Sequence, residues 1–166
     1  MEKRHLGEGY QVSAQAIIYR VQTKGVKIKK MIKGISHITF IVQDIEKTTV
    51  FFEKIFNAEV VYDSGEKTYS LSRERFLLIG DLWIAIMEGN PLNEKTYNHV
   101  AFKIDAGDFE TYKKRVEALG VEIKKPRSRI EAEGKSLYFY DYDNHLFELH
   151  TGTLKERLAG YGSQER

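Results

Sequence analysis

The sequence predicts an α+β fold built from two copies of a βαβββ module, and three observations support this. The segments 35–42 and 97–104 align at an offset of 62 residues. Each alternates apolar and polar residues as a strand does, and a stretch with helical apolar spacing follows each of them. About three further strand-like stretches then complete each copy. Because neither copy can close a core alone, we expect the two to form a cupped mixed sheet with the helices outside.

The two alternating segments predict strands that have one apolar and one polar face. In the first strand Ile38, Phe40 and Val42 share a face, which leaves His37 and Thr39 on the other face. The second strand repeats this arrangement, with an apolar face and a histidine opposite it: Val100, Phe102, Ile104 and His99.

A helix is predicted after each of these strands because apolar residues recur there every three or four positions. Asn57 and Gly120 follow the two helices, and both residue types favour the left-handed conformation that ends a helix. The residues with helical spacing are Ile45, Thr49, Phe52 and Phe56 in the first copy, and Phe109, Tyr112, Val116 and Leu119 in the second.

Three strands are predicted after each helix. Residues 141–144 supply turn chemistry between the last two strands, and residues 89–93 form the linker between modules. The modules therefore cover about 34–90 and 96–152. The predicted strands are about 58–64, 68–79 and 82–88 in the first copy, and 121–125, 135–140 and 145–150 in the second.

Composition separates the N-terminal residues from the body of the chain and excludes several classes of function. Residues 1–30 hold seven basic and two acidic residues, which leaves 19 basic and 22 acidic residues in the rest of the 166-residue chain. The body is therefore not basic, and we expect neither nucleic-acid binding nor, for lack of a long apolar run, a membrane helix. The absence of cysteine excludes disulfides and a thiolate metal site. We expect a cytoplasmic domain over 31–161 and a short C-terminal tail over 162–166. Residues 1–30 form an extension that is either dispensable and poorly ordered or an added strand or helix.

Four equivalent positions on the central strands form the candidate metal site. At the offset of 62 they are His37, Ile86, His99 and Glu148, and three of them can bind a metal. Two imidazoles and one carboxylate on one face are a ligand set that holds a divalent metal and leaves positions open for substrate. A single strand histidine is more often a core residue, but recurrence at equivalent positions favours the metal site.

Other polar residues have two interpretations each. Glu74 aligns with Ser136 at the same offset, so it is either a solvated residue between two arginines or a base beside the metal. Trp83 and Tyr97 are either core aromatics or pocket residues. The late basic residues form either a solvated face or a site for a phosphate or phosphonate group. These residues are Lys125, Arg127, Arg129, Lys135 and Arg157. His145 is expected in a turn, and His150 at the periphery of the site.

The motifs that carry these residues resemble the vicinal oxygen chelate superfamily. They closely resemble its fosfomycin resistance group, and the match runs from residue 31 to about residue 161. Glu74 in its setting at 71–76 (LSRERF) and the strand at 82–84 (LWI) are similar to the FosX-type fosfomycin epoxide hydrolases. The other matching motifs are ISHIT at 35–39, TYNHVAF at 96–102, SLYFYD at 136–141 and HLFELH at 145–150.

The resemblance implies a Mn²⁺-dependent enzyme that adds water to the epoxide of fosfomycin and so gives antibiotic resistance. It implies His37, His99 and Glu148 as metal ligands, with other divalent metals also compatible, and Glu74 as the general base. The implied substrate-binding residues are Thr39, Trp83, Tyr97, Ser136, Tyr138 and Arg157. Family dimers exchange modules, so His37 of one chain would join His99 and Glu148 of the other.

The alternatives are a thiol transferase acting on the same drug and a non-catalytic drug-binding protein on the same fold. A glyoxalase-type isomerase would need a fourth ligand, which Ile86 cannot supply.

Overall fold

The computed structural model describes residues 32–164, so the predictions for residues 1–30 and for the last two residues lie outside the described part. The first module contains β1 (His37–Val42), α1 (Ile45–Phe56), β2 (Glu59–Asp63), β3 (Glu74–Ile79) and β4 (Leu82–Glu88). The second contains β5 (His99–Lys103), α2 (Phe109–Ala118), β6 (Ile123–Lys124), β7 (Ser136–Tyr140) and β8 (Leu146–His150). A third helix, α3 (Leu154–Gln164), follows, and short 3₁₀ turns cover Ala106–Asp108 and Glu131–Glu133.

Each module forms its own four-stranded mixed sheet, in the orders β1-β4-β3-β2 and β5-β8-β7-β6. The first strand of each module runs parallel to the last strand, and the other neighbouring strands are antiparallel. This confirms the predicted repeat of βαβββ modules. The helices α1 and α2 occupy the crossover positions that parallel pairing requires.

Local sequence fixes both ends of α1. The Asp44 side chain accepts a hydrogen bond from the Lys47 N–H at 2.9 Å, which caps the first turn. Asn57 ends the helix in the left-handed region at φ 53°, as predicted. The prediction for α2 is also confirmed, because Val116 is fully buried and Gly120 follows at φ 63°.

The two modules share one aromatic core. Phe51 and Phe52 of α1 lie against the second sheet, with Phe51 6.0 Å from Phe139 and Phe52 5.7 Å from Phe147, between ring centroids. Phe40 of β1 also contacts Phe147 directly, at 5.3 Å. The apolar sheet faces therefore meet inside the chain, and the opposite polar faces are exposed in both β1 and β5.

Two of the predicted strands are shorter than expected. The strand predicted over 68–79 begins only at Glu74, because residues 64–73 form an irregular loop. The Asp63 side chain accepts from the Gly65 N–H at 2.7 Å, and Gly65 lies at φ 56°, so the chain turns there instead of extending. The strand predicted over 121–125 covers only Ile123–Lys124.

The alignment of Ile86 with Glu148 is wrong by one residue. Strand pairing sets Phe76 opposite Ala85 in the first sheet and Tyr138 opposite Glu148 in the second. Ala85 is therefore the structural counterpart of Glu148, and Ile86 lies in the core with no exposure. Paired residues 76 and 85 are nine positions apart along the chain, whereas 138 and 148 are ten apart, and this one-residue difference shifts the offset. Ala85 also lacks a ligand atom, so the first sheet still offers no fourth metal ligand at this position.

Helix α3 was not expected from the sequence pattern, and it extends into the predicted C-terminal tail. It begins with reciprocal capping: the Glu156 side chain accepts from the Thr153 N–H at 2.8 Å, and the Thr153 hydroxyl accepts from the Glu156 N–H at 3.2 Å. Gly160 lies so close to Ala132 that a Cβ at position 160 would collide with it. This contact packs α3 on the turn Glu131–Glu133. Across residues 32–164, the helices lack the length and apolar composition for a membrane span.

Candidate metal and substrate site

The first module presents His37 and Trp83 side by side on its polar face. The two residues pair in register across β1 and β4, and their ring centroids are 4.3 Å apart. His37 is exposed, and Thr39 follows it on the same face. The Trp83 Nε1 atom is buried and has no hydrogen-bond partner within the described part of the chain. This face therefore offers an accessible imidazole beside an unused N–H donor.

Glu74 lies on the same polar face, at the start of β3. Its backbone N–H donates to the Ser64 hydroxyl at 3.0 Å, and its carbonyl oxygen accepts from the Ser64 N–H at 3.0 Å. The residue is only 8% exposed, and residues 32–164 donate no hydrogen bond to its carboxylate. The interpretation of Glu74 as a solvated surface residue is therefore wrong.

The arginines that flank Glu74 bind other carboxylates. Arg75 donates to Glu46 at 2.8 Å and to Asp63 at 2.7 Å, and Arg73 donates to Glu46 at 2.8 Å. The hydrogen bond from Arg75, followed by that from Arg73, lowers the pKa of Glu46. The alternation of the strand directs this ion-pair network to the opposite side of the sheet. Within residues 32–164 the Glu74 carboxylate has neither a hydrogen-bond donor nor a salt-bridge partner.

The second module brings His99 and Glu148 together. The His99 Nε2 atom lies 3.0 Å from Glu148 Oε2. The other ring nitrogen, Nδ1, is 2.8 Å from the Tyr97 carbonyl oxygen, which can only accept a hydrogen bond. Nδ1 therefore donates a hydrogen bond to that carbonyl, and this bond orients the ring so that Nε2 faces the carboxylate. Nε2 and Oε2 could share a proton or a cation at this distance, and a neutral imidazole beside a carboxylate is a donor set that fits a divalent metal.

Hydrogen bonds keep the Glu148 carboxylate ionised and orient it toward His99. Burial alone would raise its pKa, but hydrogen bonds from Ser136 and Tyr138 and the nearby histidines outweigh burial and lower the pKa. The Ser136 hydroxyl and Arg129 Nη2, the latter at 3.2 Å, both donate to Oε1, which leaves Oε2 directed at His99. An ionised carboxylate is the form that binds a metal.

The phenol of Tyr138 stays protonated beside this carboxylate. Burial raises the pKa of Tyr138, and hydrogen bonds with Tyr97 and Glu148 raise it further. The rings of Tyr97, His99 and Tyr138 lie within 5.8 Å of one another, between centroids. Tyr97 is 52% exposed, so the alternative of a core aromatic is wrong for this residue.

Two further histidines lie where the sequence predicts them. The Nδ1 atom of His150 is 2.8 Å from the Ser136 hydroxyl and 3.6 Å from Glu148 Oε1, at the periphery of the pair. Burial lowers the pKa of His150, and the positive charges of Arg157 and Arg129 lower it further against the effect of Glu148. His145 lies in the turn before β8.

The structure gives the late basic residues different partners. The side chain of Arg129 is 11% exposed, its Nη2 donates to the Tyr138 hydroxyl at 2.9 Å, and its buried Nη1 has no partner in residues 32–164. Arg129 and Lys135 line a cleft of about 560 Å³ that reaches Ser136. Arg157, on α3, lies 3.9 Å from Glu133. The sequence places Arg129 among five late basic residues but does not distinguish it from them, because its irregular loop has no repeating pattern that reveals which side chain points inward.

A single chain does not assemble the predicted metal site. Among residues 32–164, no three His, Asp or Glu side chains form a group that could hold a metal. His99 and Glu148 meet on the second sheet, whereas His37 and Glu74 lie on the first. Each module therefore carries one half of the predicted site on an exposed polar face.

Known proteins share this architecture. The family model of the Glyoxalase/Bleomycin resistance protein/Dioxygenase superfamily matches residues 34–149. The fosfomycin resistance protein FosX of Listeria innocua is 61% identical over 131 residues, which cover 79% of this chain and 98% of the relative. The chain belongs to the FosX proteins of this superfamily.

Two other FosX proteins support the same assignment. FosX of Mesorhizobium japonicum is 59% identical over 78% of this chain and 93% of its own length. A crystal structure of FosX from Listeria monocytogenes is 56% identical in sequence, superposes with a TM-score of 0.73, and covers 79% of this chain and 99% of that one. That FosX protein, a glutamate-to-glutamine point mutant, is complexed with Mn(II) and 1S,2S-dihydroxypropylphosphonic acid.

Proposed function

We propose that the chain is a Mn²⁺-dependent epoxide hydrolase that adds water to fosfomycin, forms the diol and so gives resistance to the antibiotic. The observation that carries the proposal is Glu74, a carboxylate that is 8% exposed, has no hydrogen bond from residues 32–164 and shares a sheet face with His37. The diol-phosphonate and Mn(II) bound by a FosX protein of 56% identity support the same reaction.

In this proposal His37, His99 and Glu148 hold the metal. His99 and Glu148 already face each other at 3.0 Å in geometry suited to a shared cation. The bound metal supplies Lewis-acid stabilisation of the negative charge that develops on the epoxide oxygen. The ligand set also accepts other divalent metals.

The third ligand comes from a second copy of the chain. The polar faces of β1 and β5 are both exposed in one chain, and two chains that exchange modules would bring such faces together. We propose this module-exchanged homodimer, acting in the cytoplasm. It is tested by mixing a His37→Gln chain with a Glu148→Gln chain and reassembling dimers at random.

Each variant alone is expected to be inactive. Half of the randomly assembled dimers contain one chain of each kind, and exchange gives each of these one intact site. The mixture should therefore recover about a quarter of the parent activity. No recovery would contradict the exchanged dimer, because sites formed within one chain would all carry a substitution.

In this proposal Glu74 takes up the proton that the attacking water releases. Glu74 accepts a proton from water as the water oxygen attacks an epoxide carbon. The bond between that carbon and the ring oxygen breaks, and the released oxygen takes a proton, so the diol contains one added water. Because water is the nucleophile, no covalent intermediate with the protein forms.

Hydroxyl and guanidinium donors orient the substrate in this proposal. Thr39 donates to its oxygens, the Ser136 and Tyr138 hydroxyls turn from Glu148 to donate to them when metal and substrate bind, and Arg157 binds the anionic group. Trp83 and Tyr97 form the walls of the pocket, with the Trp83 Nε1 donor available. The raised pKa of Tyr138 keeps its phenol a donor at neutral pH.

Product analysis tests the function. Purified protein is incubated with fosfomycin and Mn²⁺, with and without thiols, and products are followed by phosphorus NMR. We expect the diol alone, at a rate that thiols do not change. A thiol adduct would instead indicate a transferase, and tight binding without any product would indicate a drug-sequestering protein.

A further inference from the structure

Glu133 is a buried carboxylate at the centre of a hydrogen-bond cluster. It ends the turn Glu131–Glu133 and is 3% exposed. Arg127 donates to both of its oxygens, at 2.6 Å to Oε1 and 3.1 Å to Oε2. The Tyr161 hydroxyl donates to Oε1 at 2.9 Å, and the Ile130 N–H donates to Oε2 at 3.2 Å. One carboxylate thus links the loop before β7 to helix α3.

These bonds keep Glu133 ionised. The hydrogen bond from Arg127 is the largest effect and, with those from Tyr161 and Ile130, it outweighs burial and lowers the pKa of Glu133 to about 2. Arg157 of α3 also approaches Glu133, with its Nε atom 3.9 Å from Oε1. The negative charge is therefore present throughout the neutral pH range and acts on both segments.

The two segments that Glu133 joins each carry an arginine of the candidate site. Segment 125–135 has no strand pairing, and it is held by the hydrogen bonds of Glu133 and, at its end, by the bond from the Thr151 N–H to the Lys135 carbonyl oxygen at 3.0 Å. It carries Arg129, whose Nη1 is buried and has no partner in residues 32–164. Arg129 donates to Glu148 Oε1 at 3.2 Å and to the Tyr138 hydroxyl at 2.9 Å, and helix α3 carries Arg157, with its Nε atom 3.9 Å from Glu133. One cation thus contacts the candidate site directly, and the other, which the proposed function assigns to the anionic group, contacts the carboxylate that joins the two segments.

We propose that Glu133 is a positioning residue that fixes Arg129 and Arg157 so that both face the anionic group of the substrate. The inference rests on the proposed function, because the phosphonate of fosfomycin supplies that anion. A guanidinium binds a tetrahedral oxyanion through N–H donors that lie in one plane. The orientation of that plane decides how many of the donors reach the anion. Fixing that orientation in advance reduces the entropy lost on binding.

Kinetics of the Glu133→Gln variant test the proposal. Glutamine keeps the size of the side chain and one acceptor oxygen but removes the charge that holds Arg127. Because the arginines bind the anion in the ground state and the transition state alike, the KM for fosfomycin should rise at least about tenfold and kcat should stay within about threefold. The affinity for Mn²⁺ should not change.

Glu122→Gln is the matched control, because Glu122 is an exposed carboxylate of the same module that pairs with Lys95. It should leave KM and kcat at parent values. Tyr161→Phe removes one hydrogen bond from Glu133 and should also raise KM, by a smaller factor than Glu133→Gln. This variant tests the proposal if Glu133→Gln does not fold.

A second measurement requires no turnover. Inorganic sulfate, a tetrahedral oxyanion, is titrated into the Mn²⁺-loaded parent and Glu133→Gln proteins by calorimetry, and the variant should bind it about tenfold more weakly. Unchanged KM and sulfate affinity in a folded variant would overturn the inference, as would a lower Tm with KM unchanged. A parent that binds no sulfate would overturn it too. A parent that binds sulfate but forms no diol would refute the proposed function alone.

Discussion

Replacing Glu74 with glutamine removes a basic oxygen from the polar face of the first module while keeping the size of the side chain. Removal of a general base costs about 10²–10⁴ in rate, which corresponds to about 2.7–5.4 kcal/mol at the barrier. Since residues 32–164 donate no hydrogen bond to this carboxylate, the neutral amide loses no bond from them. The loss should therefore appear in kcat with Tm unchanged or higher.

The assay compares diol formation by Glu74→Gln and by Glu59→Gln, an exposed position on β2 of the same sheet. Glu59→Gln should retain parent activity, and both variants should bind Mn²⁺ as the parent does. Full activity in Glu74→Gln would refute the assignment of a base. Loss of Mn²⁺ binding would instead make Glu74 a ligand.

Three further predictions concern the metal, the N-terminal extension and stability. Glu148→Gln should lower Mn²⁺ affinity at least about tenfold in a calorimetric titration, because a neutral amide replaces an ionised ligand; unchanged affinity would remove Glu148 from the site. A chain that begins at Met31 should fold, dimerise and turn over normally, and loss of any of these would give residues 1–30 a structural role. Burial, followed by the charge of Asp141, raises the pKa of Asp143 against the hydrogen bond from the Gln43 N–H. The native state therefore favours the protonated form, and this stabilisation is lost as pH rises through the folded pKa. Asp143→Asn keeps the acceptor for Gln43, so it should raise Tm at pH 7, and the gain should shrink toward about pH 4, near the ordinary carboxyl pKa; equal Tm at pH 7 would contradict the argument.

The features that the sequence predicts correctly are those encoded by a regular spacing of residues, either strand alternation or the internal repeat. Strand alternation separated His37 from the core face of β1, and the repeat placed Glu74 level with Ser136 on the equivalent strand. The same reasoning misplaced Ile86, because the paired residues Tyr138 and Glu148 are one position further apart than Phe76 and Ala85, and a shift of one residue moves a strand's side chains to the other face.

Features that leave no regular spacing of residues in the sequence could not be predicted from it. Arg129 and Glu133 lie in an irregular segment, where only three-dimensional contacts decide which side chain is buried. The apolar face of α3 is short and interrupted by glycines, so its packing on the turn Glu131–Glu133 left no helical pattern in the sequence. In the proposed dimer the two half-sites pair through a second chain, and one chain by itself leaves both polar faces exposed.

The central claim is that water, activated by Glu74, is the nucleophile that opens the epoxide. A single turnover with enzyme in excess over fosfomycin in ¹⁸O-labelled water, analysed by mass spectrometry, tests it most directly. The account predicts one ¹⁸O atom in the diol from the first turnover, because no protein oxygen enters the product. An unlabelled diol in the first turnover would show that a carboxylate oxygen attacks the carbon, and the absence of any diol would contradict the hydrolase itself.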